Sequence, residues 1–284
     1  MRTQADINTA YEQGRYLYSS FNKNITPNMS VGISQDLSGL PGNPIAQYYL
    51  GSPYTSTGLY RSTDWGLNHG GNVDTKKYLH TMLLNTVTAL TPITVRVLDY
   101  LMFYPFIGMD TGVQNMVNNL TLPRYSANEG VQMMLVEQNP YTGSSQVQIG
   151  YTNQDGVAGR LTPIIRLNNQ TSIGTIATSA RNTSGVTGDF CALQQGDYGV
   201  QSVETIEFVT GDTGVCAVVL VKPIVTLQIY ETTAPCLYDL WFEMGQLPEI
   251  RNDAYLNLVV KPSGNVSGGA ANTIFGEMTV IWDN

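Results

Sequence analysis

His69 and His80 are the only imidazoles in this chain of 284 residues. Acid–base chemistry near neutral pH would be assigned to them first. His69 lies in GLNHGG, a glycine-flanked turn, and His80 lies in strand-like sequence with Tyr78 and Met82 on the same face. Neither neighbourhood resembles a nucleophile elbow, so both read as structural histidines. A glycosidase-type carboxylate pair could be drawn from Asp99, Glu129, Glu137, Asp155, Glu204, Glu207, Asp239 and Glu243, but the sequence pairs no two of them. Asp99 in VLDYL and Asp239 in LYDLW each interrupt an apolar run. An aspartate there faces solvent or is paired by a donor when buried, and a structural salt link or hydrogen bond is the expectation. Cys191, Cys216 and Cys236 are odd in number, widely spaced and without a CxxC, against a disulfide framework or a zinc site. A Cys191–Cys216 bridge requires the two strands to be neighbours. Asp155 in NQDGVAG lacks the oxygen-ligand series of a calcium loop and reads as a hairpin turn. No GxxxxGK[ST] occurs. The expectation is no catalytic residue, no cofactor and no metal.

Composition points the same way. With 14 Lys+Arg against 22 Asp+Glu the net charge is −8, and charged residues make up only 13% of the chain against 42% hydrophobic. Nucleic-acid binding needs clustered cations that release counterions, and Lys76–Lys77 is the only adjacent basic pair. No apolar leader core and no stretch of membrane-spanning length is visible. The expected product is synthesised in a cytosol and works through contact surfaces, with no nucleic-acid or membrane partner.

The elements that must position these residues are strands. Runs rich in Val, Ile, Thr and Tyr, often bounded by Gly, Pro, Asn or Asp, cover 76–85, 92–104, 131–138, 145–153, 161–168, 200–209, 215–222, 225–231, 237–245, 254–261 and 276–282. VCAVVLV is apolar on both faces and belongs between two layers or against a partner subunit. The single helix candidate is 4–19, which could equally be an extended arm. The expected fold is all-β, an antiparallel β-sandwich of jelly-roll-like kind. An N-terminal arm and loop segment over 1–57 precedes a sandwich over 58–284, which could hold two subdomains. Turn-rich stretches at 26–57 and 169–190 read as a draping arm and an exposed loop or hairpin tip. Tyr48, Tyr49, Tyr54, Tyr60 and Trp65 fall in loop-like sequence. Tyr and Trp combine large contact area with a polar tip, so these five are the interface candidates, with packing of loops onto the sandwich as the competing role.

Four segments carry a resemblance: GLYRSTDWGLNHGGNVDTKKYL (58–79), LDYLMFYPFIGMDTGVQNMVNNLTLPRY (98–125), GYTNQDGVAGR (150–160) and PEIRNDAYLNLVVKPSG (248–264). Together they resemble a family of accessory virion proteins of tailed double-stranded DNA phages, over roughly residues 58–284. The resemblance implies a virion structural protein, a decoration or cement protein on the capsid exterior. It would be β-rich and trimeric, and would clamp adjacent major capsid protein subunits. It transfers no functional residue. The rival readings are a jelly-roll major capsid protein, a tail, fibre or vertex protein whose aromatic loops hold host glycans, and a hydrolase on a β scaffold.

Overall fold

A computed structural model describes residues 3–25, 32–87, 91–125, 129–140, 143, 145–167, 172–179, 188–263 and 272–284. In chain order the elements are α1 (Gln4–Glu12), β1 (Tyr16–Ile25), β2 (Gln35–Asp36), β3 (Gly42–Asn43), β4 (Thr57–Gly58), α2 (Arg61–Asp64), β5 (Lys77–Thr86), β6 (Ile93–Gly108), β7 (Gly112–Asn115) and β8 (Gln132–Asn139). They continue with β9 (Gln146–Asn153), β10 (Arg160–Leu161), β11 (Ile165–Arg166), β12 (Val200–Thr210), β13 (Val215–Ile229), β14 (Cys236–Asp239), α3 (Leu240–Met244), β15 (Glu249–Ile250), β16 (Tyr255–Pro262) and β17 (Asn272–Trp282).

Three antiparallel sheets make the all-β sandwich. The first runs β14-β5-β17-β1-β3, with β15 also on β5. The second runs β2-β16-β6-β13-β8, with β4 on β6, and the third gathers β10, β11 and β12 around β9. β6 and β13 are the long spine, paired from Ile93–Ile229 to Gly108–Val215. Strand side chains alternate between faces, and this alternation assigns three cores. At one end, Val95 and Val97 of β6 pack with Val225 and Leu227 against Phe21, Met82, Leu84 and Met278 of the first sheet. At the other end, Met102, Tyr104, Val218 and Leu220 pack against Val147, Ile149, Ile206 and Phe208 of the third sheet. The first and third sheets therefore lie side by side on one face of the second. The opposite face, bearing Tyr100, Phe103, Ala217 and Val219, is covered by Tyr49, Leu59, Ile176 and Phe190 from the connecting segments. Residue 58 does not divide the chain. The two sandwiches share one sheet.

Several expectations are corrected. Residues 1–57 are not an arm preceding the sandwich: β1 pairs with β17 along all ten of its residues and buries Phe21 and Ile25 in the first core. The strand escapes notice in the sequence because its first half, Tyr16–Ser20, carries mixed exposed and half-buried side chains. The helix is shorter than 4–19. Thr3 and Asp6 form a reciprocal capping box at its start, and it stops before Gly14, which adopts φ 69°. The run 237–245 splits into β14 and α3, because Asp239 accepts from the N–H groups of Trp241 and Phe242 and starts a helix. The runs 215–222 and 225–231 are one strand, with Pro223 at a register shift where its missing N–H is tolerated. The run 161–168 is two short pieces, β10 and β11, on either side of Pro163. The stretch 169–190 is no exposed tip where it is described: Ile176, Ala177, Thr178 and Ser179 are buried, and Thr175 and Ile176 bridge to Gln35 and Val136. Residues 169–171 and 180–187 lie outside the described residues.

Candidate interaction surface

The segment between β1 and α2 covers its own fold, and buried polar groups tie it down. Lys23 on β1 is fully buried and donates to the carbonyls of Leu40 at 2.6 Å and Pro44 at 3.0 Å. Burial lowers its pKa to about 8. Asp36 is also fully buried, and accepts from the Ser38 N–H at 2.8 Å, the Ser38 hydroxyl at 2.7 Å and the Tyr100 hydroxyl at 2.7 Å, as well as from the Tyr49 hydroxyl. Burial raises the Asp36 pKa, and these donors oppose that rise. Asp189 accepts from Ser34 and pairs with Arg96 of β6. The segment is thus tied by side-chain bonds as well as by β3 on the first sheet and β2 and β4 on the second.

On this segment the five aromatic candidates separate. Tyr49 is buried, with its ring 5.1 Å from that of Phe103. Tyr54 is half-buried against the second core. Tyr60 is half-buried beneath the Arg124 guanidinium, 5.7 Å from the ring centre. Tyr48 and Trp65 are 55% and 64% exposed. Tyr49, Tyr54 and Trp65 have φ of 51°, 58° and 59°. An L-residue in this left-handed region costs roughly 1–2 kcal/mol, and such positions are a recognised mark of functional segments.

Tyr48 and Tyr49 line a cavity of about 210 Å³ together with Leu50, Phe106, Val136 and Ile173. Leu50 and Ile173 are 66% and 49% exposed. Gln138 fixes its wall, accepting from the Phe106 N–H at 2.7 Å and donating to the Tyr49 carbonyl at 3.2 Å. Phe106 itself sits at φ 56°. The loop composition marked Tyr48 and Tyr49. Leu50, Phe106, Gln138 and Ile173 were not legible, since only the fold brings the end of β6, the end of β8 and the loop after Ser172 to the same place.

The residues with chemical potential are absorbed into the structure. The His69 Nε2–H donates to the Ala254 carbonyl at 2.8 Å, and its Nδ1 accepts from the Lys77 ammonium at 2.8 Å. Burial, then the Lys77 charge, pushes the His69 pKa down to about 3. The Tyr11 hydroxyl and His80 Nδ1 share a hydrogen bond of 2.7 Å, while His80 Nε2 lies 3.8 Å from Asp239. Burial lowers the His80 pKa and raises that of Tyr11 to about 12, so this hydroxyl is no activated nucleophile. Asp99 is gripped by Arg124 and also accepts from the Tyr255 N–H at 3.1 Å. Glu129 pairs with Arg251 at 3.0 Å, and Glu204 accepts from Thr152 at 2.6 Å. Asp155 lies in a turn held by the Asn153 side chain, which accepts from the Asp155 and Val157 N–H groups. Among the described residues Glu137 alone is buried with both carboxylate oxygens unbonded, and burial followed by repulsion from Asp212 raises its pKa to about 9. All three cysteines are free thiols. Among the described residues no group of three or more His, Cys, Asp or Glu could hold a metal ion, and no helix is long and apolar enough to cross a membrane.

No family model matches the chain, and no curated protein matches it. A solved structure of a mutant VP2 protein of infectious bursal disease virus, in derived T=1 particles, aligns over 95% of this chain and 78% of that one, at 10% identity and a TM-score of 0.15. That likeness is too slight to carry a fold or a function across.

Proposed function

We propose that this chain is a non-enzymatic virion structural protein that binds the outside of a capsid shell as a decoration or cement component. The observation that supports it is the segment over 32–60: buried polar ties hold it rigid, and it presents Tyr48 and Leu50 to solvent beside an apolar cavity. Exposed apolar groups on a fixed scaffold mark contact sites. The acidic, sparsely charged surface is consistent with a position away from packaged nucleic acid. Shell stabilisation would then be additive, with modest free energy at each interface repeated around a symmetric lattice by a homo-oligomer such as a trimer.

The test is sedimentation of the purified protein with preformed capsids of the virus that encodes it. Binding near one copy per capsid subunit, lost on Tyr48→Ala with Leu50→Ala, supports decoration. A few copies per particle would move the protein to a tail, fibre or vertex position. Absence of binding overturns the reading.

A further inference from the structure

A groove lies away from the aromatic segment, where the chain following β7 passes β12. Its volume is about 380 Å³, within the roughly 300–1,000 Å³ range of small-molecule sites. Asn118, Asn119, Thr121, Gln201 and Ser202 line it with Leu120 and Leu122, and no ionisable side chain is among them.

The frame of this groove is built from the core outward. Tyr104 is fully buried, and its hydroxyl donates to Asn118 Oδ1 at 2.7 Å while accepting from the Val203 N–H at 3.1 Å. Asn118 Nδ2 in turn donates to the Val203 carbonyl at 2.8 Å. These bonds lock the far end of the segment to β12. The Ser56 hydroxyl accepts from the Asn119 and Leu120 N–H groups at 2.9 and 3.2 Å, which fixes the next turn. Gln201 Nε2 donates to the Gln154 carbonyl at 2.9 Å. By contrast, the side chains of Asn119, Thr121 and Ser202 make no hydrogen bond to the described residues, although they sit on this fixed frame.

The geometry points to a binding site for a neutral saccharide. An amide and two hydroxyls offer donors and acceptors together, which suits ligand groups that also do both. Leu120, 42% exposed, offers an apolar surface for the C–H face of a sugar ring, and Leu122 beneath it is anchored in the second core. A charged ligand would lose its hydration with no opposite charge in the lining to compensate. Binding here is independent of the shell-binding surface, so either reading can fail alone.

The experiment is saturation-transfer NMR on the full chain with glucose, galactose, N-acetylglucosamine and their disaccharides, using sialic acid and a heparin disaccharide as charged controls. The expected result is transfer to at least one neutral sugar. Asn119→Ala with Ser202→Ala should weaken its binding about tenfold, roughly the loss of two hydrogen bonds, with the melting temperature unchanged. Tyr48→Ala should leave it intact. No transfer to any neutral sugar, transfer only to the charged controls, or equal binding by the double variant would each overturn the proposal. Displacement of the sugar by a Thr/Asn-rich peptide that binds more tightly would also overturn it, assigning the groove to a protein strand.

Discussion

Arg124 holds Asp99 with hydrogen bonds of 2.9 Å from Nε to Oδ2 and 2.8 Å from Nη2 to Oδ1, at the seam between the two sandwiches. Val97, two residues before Asp99, belongs to the first core, and Leu101, two residues after, belongs to the second. Asp99 therefore occupies the shared face of β6 between the two cores. Lys222 stands opposite it on β13. Lys222 and Arg251 lie 6.0 and 5.5 Å from the centre of the Tyr125 ring, and Arg251 pairs with Glu129. Polar groups thus stand between the two apolar cores along the line where the first and third sheets abut.

Breaking this pair from one side should be costly. Arg124→Met leaves Asp99 buried without its cation and should lower stability by about 3–5 kcal/mol. Combining it with Asp99→Leu should recover most of the loss, because no buried charge is then unpaired. Urea unfolding of the two single variants and the double variant measures the coupling. Equal, additive losses would contradict a mutual role.

Glu137 makes stability depend on pH in a defined direction. Its pKa rises from 4.5 to about 9 on folding, so between those values the folded chain binds the proton more tightly. Its contribution is complete below about pH 4.5 and is lost as pH rises towards 9, by up to about 1.4 kcal/mol per pH unit. Glu137→Gln should remove this component. The stability difference between variant and parent should grow from pH 5 to pH 9 and level off above it. A constant difference in chemical denaturation across that range would contradict the assignment.

The tie between Asp36 and Tyr49 should govern the covering segment more than the sheets. Tyr49→Phe deletes a donor to a buried carboxyl and should cost about 1–3 kcal/mol. Hydrogen exchange should accelerate at amides over 35–49, with those of β13 changing least. Uniform acceleration throughout the chain would show that the segment has no separate stability.

Trp65 closes α2 in the left-handed conformation while 64% exposed. Trp65→Gly should relieve backbone strain and raise stability by about 0.5–1 kcal/mol. If Trp65 serves as a contact residue, the same variant should bind capsids less tightly. A more stable protein with unchanged capsid binding would remove Trp65 from the interface.

Most strands could be read along the chain because their signals are local. Lys77–Thr86, Gln132–Asn139, Gln146–Asn153, Val200–Thr210 and Tyr255–Pro262 lie within a residue or two of their sequence-based bounds. β1 was missed because alternating Tyr, Ser and Asn reads as neutral surface until β17 supplies its partner. α3 was missed because Leu-Tyr-Asp-Leu-Trp has strand composition, and only the Asp239 cap turns it. Of the five aromatics, composition identified the segment but could not separate Tyr48, in solvent, from Tyr49, against Asp36.

By itself the sequence determined an antiparallel all-β chain with little charge, and an isolated aspartate, Asp99, that needed a donor if buried. Those conclusions follow from composition and short-range periodicity. The tertiary structure decided that β6 and β13 run through both sandwiches, that Arg124 is the donor, and that residues 32–60 fold back onto their own sheet. It also brought Asn118 to Leu122 beside Gln201 and Ser202. Each of these pairs groups far apart in the chain, and such pairings are selected by packing and burial across the whole fold, which no local pattern encodes.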